Sequence, residues 1–386
     1  MTAKILIVDD EPQLELLIRQ RFRKKIRNKE YEFSFAHSGR EALQIIEQND
    51  SIDIVLSDIN MPAMDGLSFL AELSKINPSI KTIMVSAYSD MQNIRVAMNR
   101  GAYDFVTKPI NFEDLEATII KVLKEIEALK LAALTREKLA RIQQELNVAA
   151  EVQQSILPRN FSIVPEGSNI EIFAEMIPAK DVGGDFYDFF IIDDNRIAFA
   201  IGDVSGKGMP AALFMAVSRT FIKAIALKGK STSDCLNQVN YLLSQDNPRL
   251  MFVTLFYGVL NLRTKELEYC NCGHNPPCLI YENGEPVFLE SGENIVLGVK
   301  KDYEYLSNKM TLASGQSLVL YTDGITEAMD KESNLFEEER LLEYLQKNGK
   351  SSPQNIITGM IKTVRAFAGD EPQSDDITVM VIKQNH

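Results

Sequence analysis

The longest pattern in the chain runs from Asn111 to Leu157, where apolar residues recur every three or four positions. These 47 residues contain no glycine or proline, the residue types that most readily interrupt a helix. The apolar positions form two series, first Leu115, Ile119, Val122, Ile126, Leu129 and Ala133, then Leu139, Ile142, Leu146, Ala149 and Ile156. Such spacing puts a narrow apolar seam on one side of a helix, which lets two helices wind together. We therefore expect one long helix that forms a coiled coil with its copy in a homodimer. Two ordinary helices meeting at Thr135 are the alternative.

Before this stretch, short apolar segments alternate five times with amphipathic ones. The predicted strands are Ile5–Val8, Phe33–Ala36, Ile54–Ser57, Thr82–Val85 and Asp104–Val106. Strands that alternate with helical patterns indicate a parallel sheet covered by helices on both faces. The fold expected for residues 1–112 is therefore α/β and doubly wound.

Polar side chains follow four of these strands, at the sheet edge where such folds place their ligands. Asp9 and Asp10 follow the first strand, Asp58 the third, Ser86 the fourth and Lys108 the fifth. Clustered carboxylates repel one another unless a hard cation lies among them, and Mg²⁺ prefers oxygen ligands. An aspartate neutralised in this way can act as a nucleophile toward a phosphoryl group.

These residues give the first 112 positions a resemblance to the response-regulator receiver family, whose fold is flavodoxin-like (CheY-like). The matching motifs are Asp9–Asp10, Asp58–Gly66 (DINMPAMDG), Ser86–Ala87 and Lys108–Pro109. The resemblance implies that Asp58 accepts phosphate from a histidine kinase or phosphotransfer protein of a two-component system. It also implies a receiver Mg²⁺ held by Asp9, Asp10, Asp58 and the backbone carbonyl of Asn60.

The same resemblance implies roles for three further residues. Ser86 and Lys108 would bind the phosphoryl oxygens, and Phe105 would be the aromatic switch position. The peptide bond between Lys108 and Pro109 would be cis.

After Leu157–Pro158 the helical pattern must end, because proline pushes the preceding residue out of the helical region. Predicted strands follow at Ile170–Met176, Phe186–Ile192, Ile197–Ile201, Val253–Leu260, Leu267–Cys270 and Leu318–Tyr321. Asn283 and Gly284, which lie between two apolar pairs, predict a hairpin turn. Predicted helices are Ala211–Ala226, Leu236–Ser244, Glu337–Gln346 and Asn355–Phe367. This mixture indicates an antiparallel α+β domain over residues 158–386.

Aspartates recur beside glycine or serine at the ends of predicted strands in this second half. They are Asp185 in Val182–Asp188 (VGGDFYD), Asp203 in Gly202–Gly208 (GDVSGKG), Asp323 in Tyr321–Glu327 (YTDGITE), and Asp375 with Asp376 in Ser374–Val379 (SDDITV). Any one of them alone fits an ordinary turn. Four such motifs in one domain favour a two-metal site that activates a shared water.

These motifs, together with Asn271–Pro277 (NCGHNPP), are similar to those of the SpoIIE/RsbU-type branch of the metal-dependent (PPM, phosphatase 2C-like) protein phosphatases. Members of that family have a β-sandwich flanked by helices. The resemblance implies hydrolysis of phosphoserine or phosphothreonine on a protein, by water activated between two Mn²⁺ or Mg²⁺ ions. The segment Gln144–Pro158 also resembles the regulatory helix that these phosphatases carry upstream.

The resemblance further implies a ligand set of four aspartates and one carbonyl. Asp203 would bridge both ions, Asp185 and the Val204 carbonyl would serve one, and Asp323 and Asp375 would serve the other. Asp376 is the alternative to Asp375 in this set.

The chain has a net charge of −13, which argues against a nucleic-acid surface. It has one basic run, Arg19–Lys29, and we expect its charges to be solvated because Leu16, Leu17, Phe22 and Ile26 fit the opposite helical face. The first residues do not resemble a signal peptide, and no apolar run approaches membrane-spanning length. We therefore expect a cytoplasmic protein without a membrane segment.

Cys270, Cys272, His274 and Cys278 have a spacing that would allow a zinc site. The NCGHNPP motif already accounts for His274 without a metal. Zinc is therefore the less favoured interpretation.

Together these patterns predict a receiver at residues 1–112, a linking helix at 113–157 and a phosphatase domain at 158–386. The expected substrate is a phosphorylated anti-sigma-factor antagonist of the STAS type, which rests on the family resemblance alone. The alternative is a phosphorylation-controlled adaptor, a pseudophosphatase that binds its partner without hydrolysis, and the retention of the four aspartates argues against it. A DNA-binding output fits poorly, since no basic helix-turn-helix pattern follows the receiver.

Overall fold

The computed structural model describes residues 2–49, 51–87, 91–165, 167–290, 292 and 294–386. It divides into two compact units, the first extending to Arg141 and the second comprising Ile142–His386.

The first unit is a five-stranded parallel sheet with helices between its strands. The strands are β1 (Ala3–Val8), β2 (Tyr31–Ala36), β3 (Ile54–Asp58), β4 (Lys81–Ala87) and β5 (Asp104–Lys108). The helices are α1 (Pro12–Arg21), α2 (Arg23–Arg27), α3 (Gly39–Gln48), α4 (Gly66–Ile76), α5 (Met91–Asn99) and α6 (Phe112–Ile156). The sheet order β2-β1-β3-β4-β5 is the flavodoxin-like order, so the predicted doubly wound fold is confirmed.

The predicted apolar face of the basic segment is correct for Phe22 and Ile26, which pack in the core, and wrong for Leu16 and Leu17. The helix breaks at Phe22, which separates α1 from α2 and is buried in the core of the unit. Leu14 and Ile18 are the residues of α1 that face this core, whereas Leu16 is 70% and Leu17 50% exposed. The basic side chains nevertheless lie mostly at the surface, as expected.

The long helix α6 is continuous, so the alternative of two helices meeting at Thr135 is wrong. Its first apolar residues, Leu115 and Ile119, are completely buried in the core of the first unit and cannot belong to a seam between two chains. Farther along, Leu139 is 62% and Ile142 45% exposed. Pairing between two copies stays a prediction, and it now concerns the part of α6 beyond the first unit's core.

The second unit consists of two five-stranded antiparallel sheets and accompanying helices. Its strands are β6 (Ile170–Ile177), β7 (Phe186–Asp193), β8 (Arg196–Val204), β9 (Val253–Asn261), β10 (Glu266–Cys272), β11 (Cys278–Ile280), β12 (Pro286–Phe288), β13 (Asn308–Thr311), β14 (Ser317–Tyr321) and β15 (Ile377–Gln384). Its helices are α7 (Met209–Ala226), α8 (Thr232–Leu243), α9 (Asp323–Thr326), α10 (Glu337–Asn348) and α11 (Pro353–Ala368). The sheet orders are β13-β10-β9-β8-β7 and β12-β11-β14-β15-β6, and the predicted hairpin at Asn283 and Gly284 joins β11 to β12.

Alternation along β14 shows where the core of this unit lies. Leu318 and Leu320 join the cluster that fills the space against the other sheet, whereas Val319 and Tyr321 join the cluster formed with α10 and α11. Because successive side chains of a strand point to opposite faces, one strand contributes to both cores. The predicted sandwich flanked by helices is confirmed.

Helix α7 is long and apolar enough, by length and composition alone, to cross a membrane, so the expectation that no such run exists fails for this helix. A core helix of a globular domain passes the same test. α7 packs on β7 and β8, and Ala211, Met215 and Ile222 on its inner face are buried. Arg219 on the same helix forms an ion pair with the buried Asp188 at 2.9 Å. A structural role within the second unit accounts for these contacts.

Candidate active site

The carboxyl ends of β1 and β3 bring three aspartates together, as the sequence predicts. Asp9, Asp10 and Asp58 each offer one carboxylate oxygen, and these oxygens lie within 4.8 Å of one another. Asp9 and Asp58 are buried, whereas Asp10 is exposed. An all-oxygen set with concentrated negative charge suits a hard cation, so these residues fit Mg²⁺.

Lys108, at the end of β5, reaches two of the three aspartates. Its Nζ donates to Asp58 Oδ2 at 2.7 Å and to Asp9 Oδ2 at 3.1 Å. Burial by itself would lower the pKa of Lys108, but the hydrogen bonds to the two carboxylates outweigh that effect and the pKa is raised. The predicted cis bond between Lys108 and Pro109 is confirmed.

Gly66 is the last residue of the segment Asp58–Gly66 and lies against the backbone of Asp58. A Cβ atom on Gly66 would lie 2.1 Å from the carbonyl oxygen of Asp58, so only glycine permits this approach. The N–H of Asn60 lies 3.4 Å from Asp58 Oδ1 and donates to it. Asn60 is therefore adjacent to the acceptor, and its carbonyl stays a predicted ligand.

Two further receiver residues have positions that differ in exposure. Ser86 is completely buried, and its hydroxyl donates to the carbonyl of Ala87 at 3.4 Å. Phe105 on β5 is 37% exposed. Their roles in binding phosphate and in switching stay predictions.

In the second unit, four separate elements carry the predicted metal-binding aspartates. Asp185 directly precedes β7, Asp203 lies at the end of β8, Asp323 begins α9 after β14, and Asp375 lies just before β15. The antiparallel sheets bring these strand ends to one region. A Cβ on Gly184 would lie 2.9 Å from the Val204 oxygen, a Cβ on Gly324 would lie 3.3 Å from the Asp375 carbonyl oxygen, and the Thr322 hydroxyl donates to Asp185.

Burial and mutual repulsion raise the pKa of three of these carboxylates, among them Asp203 and Asp323. Burial, followed by the negative charges of Asp323 and Asp375, raises the pKa of Asp203 to about 7. Burial, followed by Asp375 and Glu327, raises the pKa of Asp323 to about 6. Bound cations would remove this repulsion. The charge of the cluster therefore fits a cation site.

The carboxylates of the four aspartates in the second unit are spread more widely than those of the three receiver aspartates. Across the described residues, no three of its carboxylate oxygens lie within 4.8 Å of one another. A pair of ions about 3.5–4 Å apart needs ligands spread over a wider space than one ion does. The donors are all oxygens, which suits Mn²⁺ or Mg²⁺.

Asp185 is the most deeply buried member of the set. Its Oδ2 accepts a hydrogen bond of 2.7 Å from the Thr322 hydroxyl, and that hydroxyl accepts one of 2.9 Å from the N–H of Thr378. Burial, and then the charge of Asp203, raises the pKa of Asp185 well above its usual value. Thr322 therefore orients Asp185, a role that the sequence motifs did not indicate.

The structure distinguishes Asp375 from Asp376 by what their carboxylates contact. The carboxylate of Asp376 accepts hydrogen bonds from the N–H groups of Ala179 and Gly184, both at 2.7 Å. Asp375 instead forms an ion pair with Lys207 at 2.8 Å, and its charge raises the pKa of Asp203 more than that of Asp376 does. The geometry favours Asp375 as the ligand, with Asp376 holding the loop that precedes Asp185.

Lys207 is a site residue that sequence reasoning missed. Its Nζ also donates to the carbonyl of Ser374 at 2.7 Å. It lies in the GDVSGKG motif, whose predicted ligands are only the aspartate and the Val204 carbonyl. Val204 itself is buried beside Gly184, where an added Cβ would lie 2.9 Å from the Val204 oxygen.

The C-terminal part of α6 also contacts the loop that carries Asp185. Gln153 is buried; its Nε2 donates to the carbonyl of Gly183 at 2.6 Å, and its Oε1 accepts from the N–H of Gly183 at 3.0 Å. Ten residues earlier, Gln143 Nε2 donates to Asp181 at 2.7 Å. The segment predicted to resemble a regulatory helix thus binds the backbone next to the aspartate cluster.

The cysteine and histidine cluster does not form a zinc site within the described residues. Cys272 lies in the core between the sheets, whereas Cys278 lies in the core against α10 and α11. Burial raises the pKa of Cys270 to about 11 and that of Cys278 to about 12. His274 is buried with its pKa lowered to about 4 by burial, and its Nδ1 lies 3.0 Å from the Thr254 hydroxyl.

Comparison with known proteins matches both units. The family model described as the response regulator receiver domain matches residues 5–120, and the model described as stage II sporulation protein E (SpoIIE) matches residues 193–385. The phosphoserine phosphatase RsbU of Bacillus subtilis is 30% identical over 243 residues, which cover 63% of this chain and 71% of RsbU. Protein IcfG of Synechocystis sp. is 28% identical over 268 residues, and the match covers 62% of this chain but only 42% of IcfG.

Two solved structures support the fold of the second unit. The PP2C domain of SiaA from Pseudomonas aeruginosa has a TM-score of 0.57 at 21% identity and covers 64% of this chain and 98% of that domain. The PP2C phosphatase domain of SpoIIE from Bacillus subtilis, solved with a fragment of its regulatory domain, has a TM-score of 0.50 at 19% identity and covers 55% of this chain and 63% of that chain. At these identities the likeness concerns the fold alone.

Proposed function

Because the chain belongs to the SpoIIE family of protein serine/threonine phosphatases and carries a response-regulator receiver domain, we propose that phosphorylation of Asp58 controls its phosphatase. The phosphate would come from a histidine kinase or phosphotransfer protein in the cytoplasm. The phosphatase site would hold two Mn²⁺ or Mg²⁺ ions, and its substrate would be a phosphorylated anti-sigma-factor antagonist of the STAS type.

The observation that carries this proposal is the meeting of strand ends that each bear an aspartate. The Thr322 hydroxyl, next to Asp323, donates to Asp185 at 2.7 Å, and Lys207 of the loop after Asp203 pairs with Asp375 at 2.8 Å. Burial, and then the charges of Asp323 and Asp375, raise the pKa of Asp203 to about 7, so the acidic charge of the cluster acts on Asp203. A bridging ligand between two cations belongs at such a point. The bound ions would supply a water of lowered pKa and would stabilise the developing charge of an in-line displacement.

The residues of this chain would hold that centre in place rather than attack the phosphate. Thr322 orients Asp185 by a hydrogen bond of 2.7 Å, and Asp376 fixes the N–H groups of the preceding loop. Lys207 forms an ion pair with Asp375 at 2.8 Å. It would have to release that carboxylate oxygen, or share it, when a metal binds.

The receiver geometry supports Asp58 as the phosphate acceptor. Its carboxylate is buried at the sheet edge and accepts a 2.7 Å hydrogen bond from Lys108, a cation that could neutralise a phosphoryl group. The nearby carboxylates of Asp9 and Asp10 suit the Mg²⁺ that such a transfer needs.

For the output, we propose that α6 pairs with its copy in a second chain and carries the receiver's change to the phosphatase. The exposed Leu139 and Ile142 on α6 support this pairing. The hydrogen bonds between Gln153 and Gly183 give the helix a direct connection to the loop that carries Asp185.

The full chain should be tested with Mn²⁺ on a panel of phosphorylated STAS-type proteins, with and without beryllofluoride to imitate phosphate on Asp58. We expect metal-dependent release of phosphate whose rate changes with beryllofluoride. Binding of a phosphorylated partner without any release would instead support the adaptor interpretation. Metal-independent hydrolysis would overturn the two-ion mechanism.

A further inference from the structure

A cavity of about 280 Å³ lies beside the aspartate cluster and takes no part in the chemistry described so far. Gly324 and Ser374 line it, and each is the immediate chain neighbour of an aspartate of the cluster, Asp323 and Asp375. Adjacent Cα atoms are only 3.8 Å apart. The cavity wall therefore includes the chain neighbours of two of the aspartates that we propose as metal ligands.

The cavity is apolar inside and polar at its edge. Its lining includes the buried Val364, the half-buried Ala368 and Met329, which is 41% exposed. A methionine at the edge can adapt to different side chains because it is unbranched and flexible. Arg365, also in the lining, is exposed and forms no ion pair within the described part of the chain. The interior suits a bulky aliphatic side chain.

We propose that this cavity is a specificity subsite that takes a leucine-like side chain of the protein substrate, within three residues of the phosphorylated one. The inference rests on the proposed phosphatase function. An extended chain advances at most about 3.6 Å per residue, so side chains one to three residues from the phosphoserine can reach the cavity. We assign the occupant to the substrate because the cavity shares the segments at Gly324 and Ser374 with the proposed metal ligands Asp323 and Asp375.

The test uses the full chain, Mn²⁺ and phosphoserine peptides that differ only by leucine or alanine at one position within three residues of the phosphoserine. p-Nitrophenyl phosphate serves as a substrate without neighbouring side chains. We expect the wild-type chain to prefer one leucine peptide by about tenfold in kcat/KM, the scale for a few methylene groups in an apolar pocket.

Ala368→Leu should fill the cavity and reduce that preference to less than about twofold, a loss of the same apolar contact. The matched control is Ala366→Leu, two residues earlier on α11, because Ala366 is exposed and does not line the cavity. The control should keep the wild-type preference. Hydrolysis of p-nitrophenyl phosphate should stay unchanged in both variants. If Ala368→Leu fails to fold, Met329→Ser, at an exposed edge position, should lower the preference in its place.

Several outcomes would overturn the subsite. A wild-type chain with no leucine preference at any tested position would do so. Equal leucine preferences in the Ala368→Leu and Ala366→Leu variants would also do so. A folded Ala368→Leu chain that also loses p-nitrophenyl phosphate hydrolysis would make the cavity part of the metal centre. A chain that hydrolyses none of the substrates contradicts the proposed function itself, and the subsite falls with it.

Discussion

Gln153 and Gly183 exchange two hydrogen bonds, so that a buried side chain of α6 satisfies both backbone groups of one loop residue. Asp185 follows two residues later. Because buried donors and acceptors without partners are costly, the position of this loop depends on the presence of the helix. The helix therefore contacts the loop that carries Asp185 through that loop's backbone.

Replacing Gln153 by leucine should leave the Gly183 N–H and carbonyl unpaired and loosen the loop that carries Asp185. We expect a lower kcat and a Mn²⁺ requirement raised by about 10- to 100-fold, the range reported when groups that support metal ligands are removed. The measurement is a Mn²⁺ titration of p-nitrophenyl phosphate hydrolysis. Gln154→Leu is the matched control, because Gln154 is exposed. Equal Mn²⁺ requirements in the two variants would mean that the contact does not position the site.

The two acidic clusters should be separable by single substitutions. Asp203→Asn should lower phosphatase turnover by at least ~10³, as loss of a key catalytic group does, and leave phosphorylation by acetyl phosphate intact. Asp58→Ala should abolish phosphorylation by acetyl phosphate and leave phosphatase turnover intact, because water and not Asp58 attacks the phosphatase substrate. Both rates can be measured on the same preparations. A chain with Asp58→Ala that still forms an acyl phosphate would show that the acceptor lies elsewhere.

Asp375 and Asp376 should differ in what their substitution damages. Asp376→Asn places an amide group opposite the N–H donors of Ala179 and Gly184, so we expect a loss of about 1–3 kcal/mol in stability, the cost of unpaired buried groups. Asp375→Asn should barely change thermal unfolding but should sharply lower the Mn²⁺-dependent rate. Thermal melts and Mn²⁺ titrations of both variants test this difference. If Asp375→Asn loses stability and Asp376→Asn loses the Mn²⁺-dependent rate, Asp376 is the ligand.

Much of this fold was predictable from the sequence because its strands are apolar and regularly spaced. The edge strand Asn308–Thr311 was missed because its four residues, NKMT, carry no apolar alternation. The face of α1 was misjudged because Leu16 and Leu17 are apolar yet exposed, whereas Leu14 and Ile18 continue the spacing of Phe22 and Ile26 and face the core.

The site was less predictable than the fold. The motifs single out the aspartates, yet which of Asp375 and Asp376 faces the cluster depends on the loop that each carboxylate meets. Lys207 and Thr322 act through contacts with residues more than 100 positions away in the chain. Local sequence patterns carry no signal for such contacts.

The aspartate cluster predicts an unusual pH dependence for the chain freed of metal by a chelator. The pKa of Asp203 is about 7 in the folded chain against 3.8 in the reference state, so the folded chain keeps this proton over a range where the unfolded chain has lost it. Stability from this group is therefore present at low pH and lost as the pH rises toward 7 and above. We expect the Tm of the metal-free chain to fall between pH 5.5 and pH 8.

Added Mn²⁺ should reverse most of the fall in Tm at pH 8, since it neutralises the same carboxylates. Asp203→Asn should flatten the pH dependence, whereas substitution of the exposed Asp370 by asparagine should not. A metal-free Tm that rises over this interval would contradict the electrostatics of the cluster.

The helical phase of α6 provides a test of signal transmission. Insertions should follow Lys130, which pairs with Asp53 at 2.9 Å at the edge of the first unit. Seven helical residues turn the following segment by only roughly 20°, whereas two turn it by about 200°. Seven should therefore preserve control by Asp58, and two should uncouple or invert it.

The measurement is the phosphatase rate with and without beryllofluoride for insertions of two, four and seven residues. A flexible tether has no phase, and its reach changes only gently with length. A response that varies smoothly with insertion length would show that α6 merely connects the two units.

The burial of the cysteines makes these experiments easier. The chain has four cysteines, all buried and free, and burial raises the pKa of each thiol. The thiolate is the form that reacts with maleimides, so the native thiols should label very slowly. A single cysteine introduced at the exposed Ala133 of α6 would then be the sole site for a spin label or fluorophore. Distances between labels on two chains could be measured without removing any native cysteine.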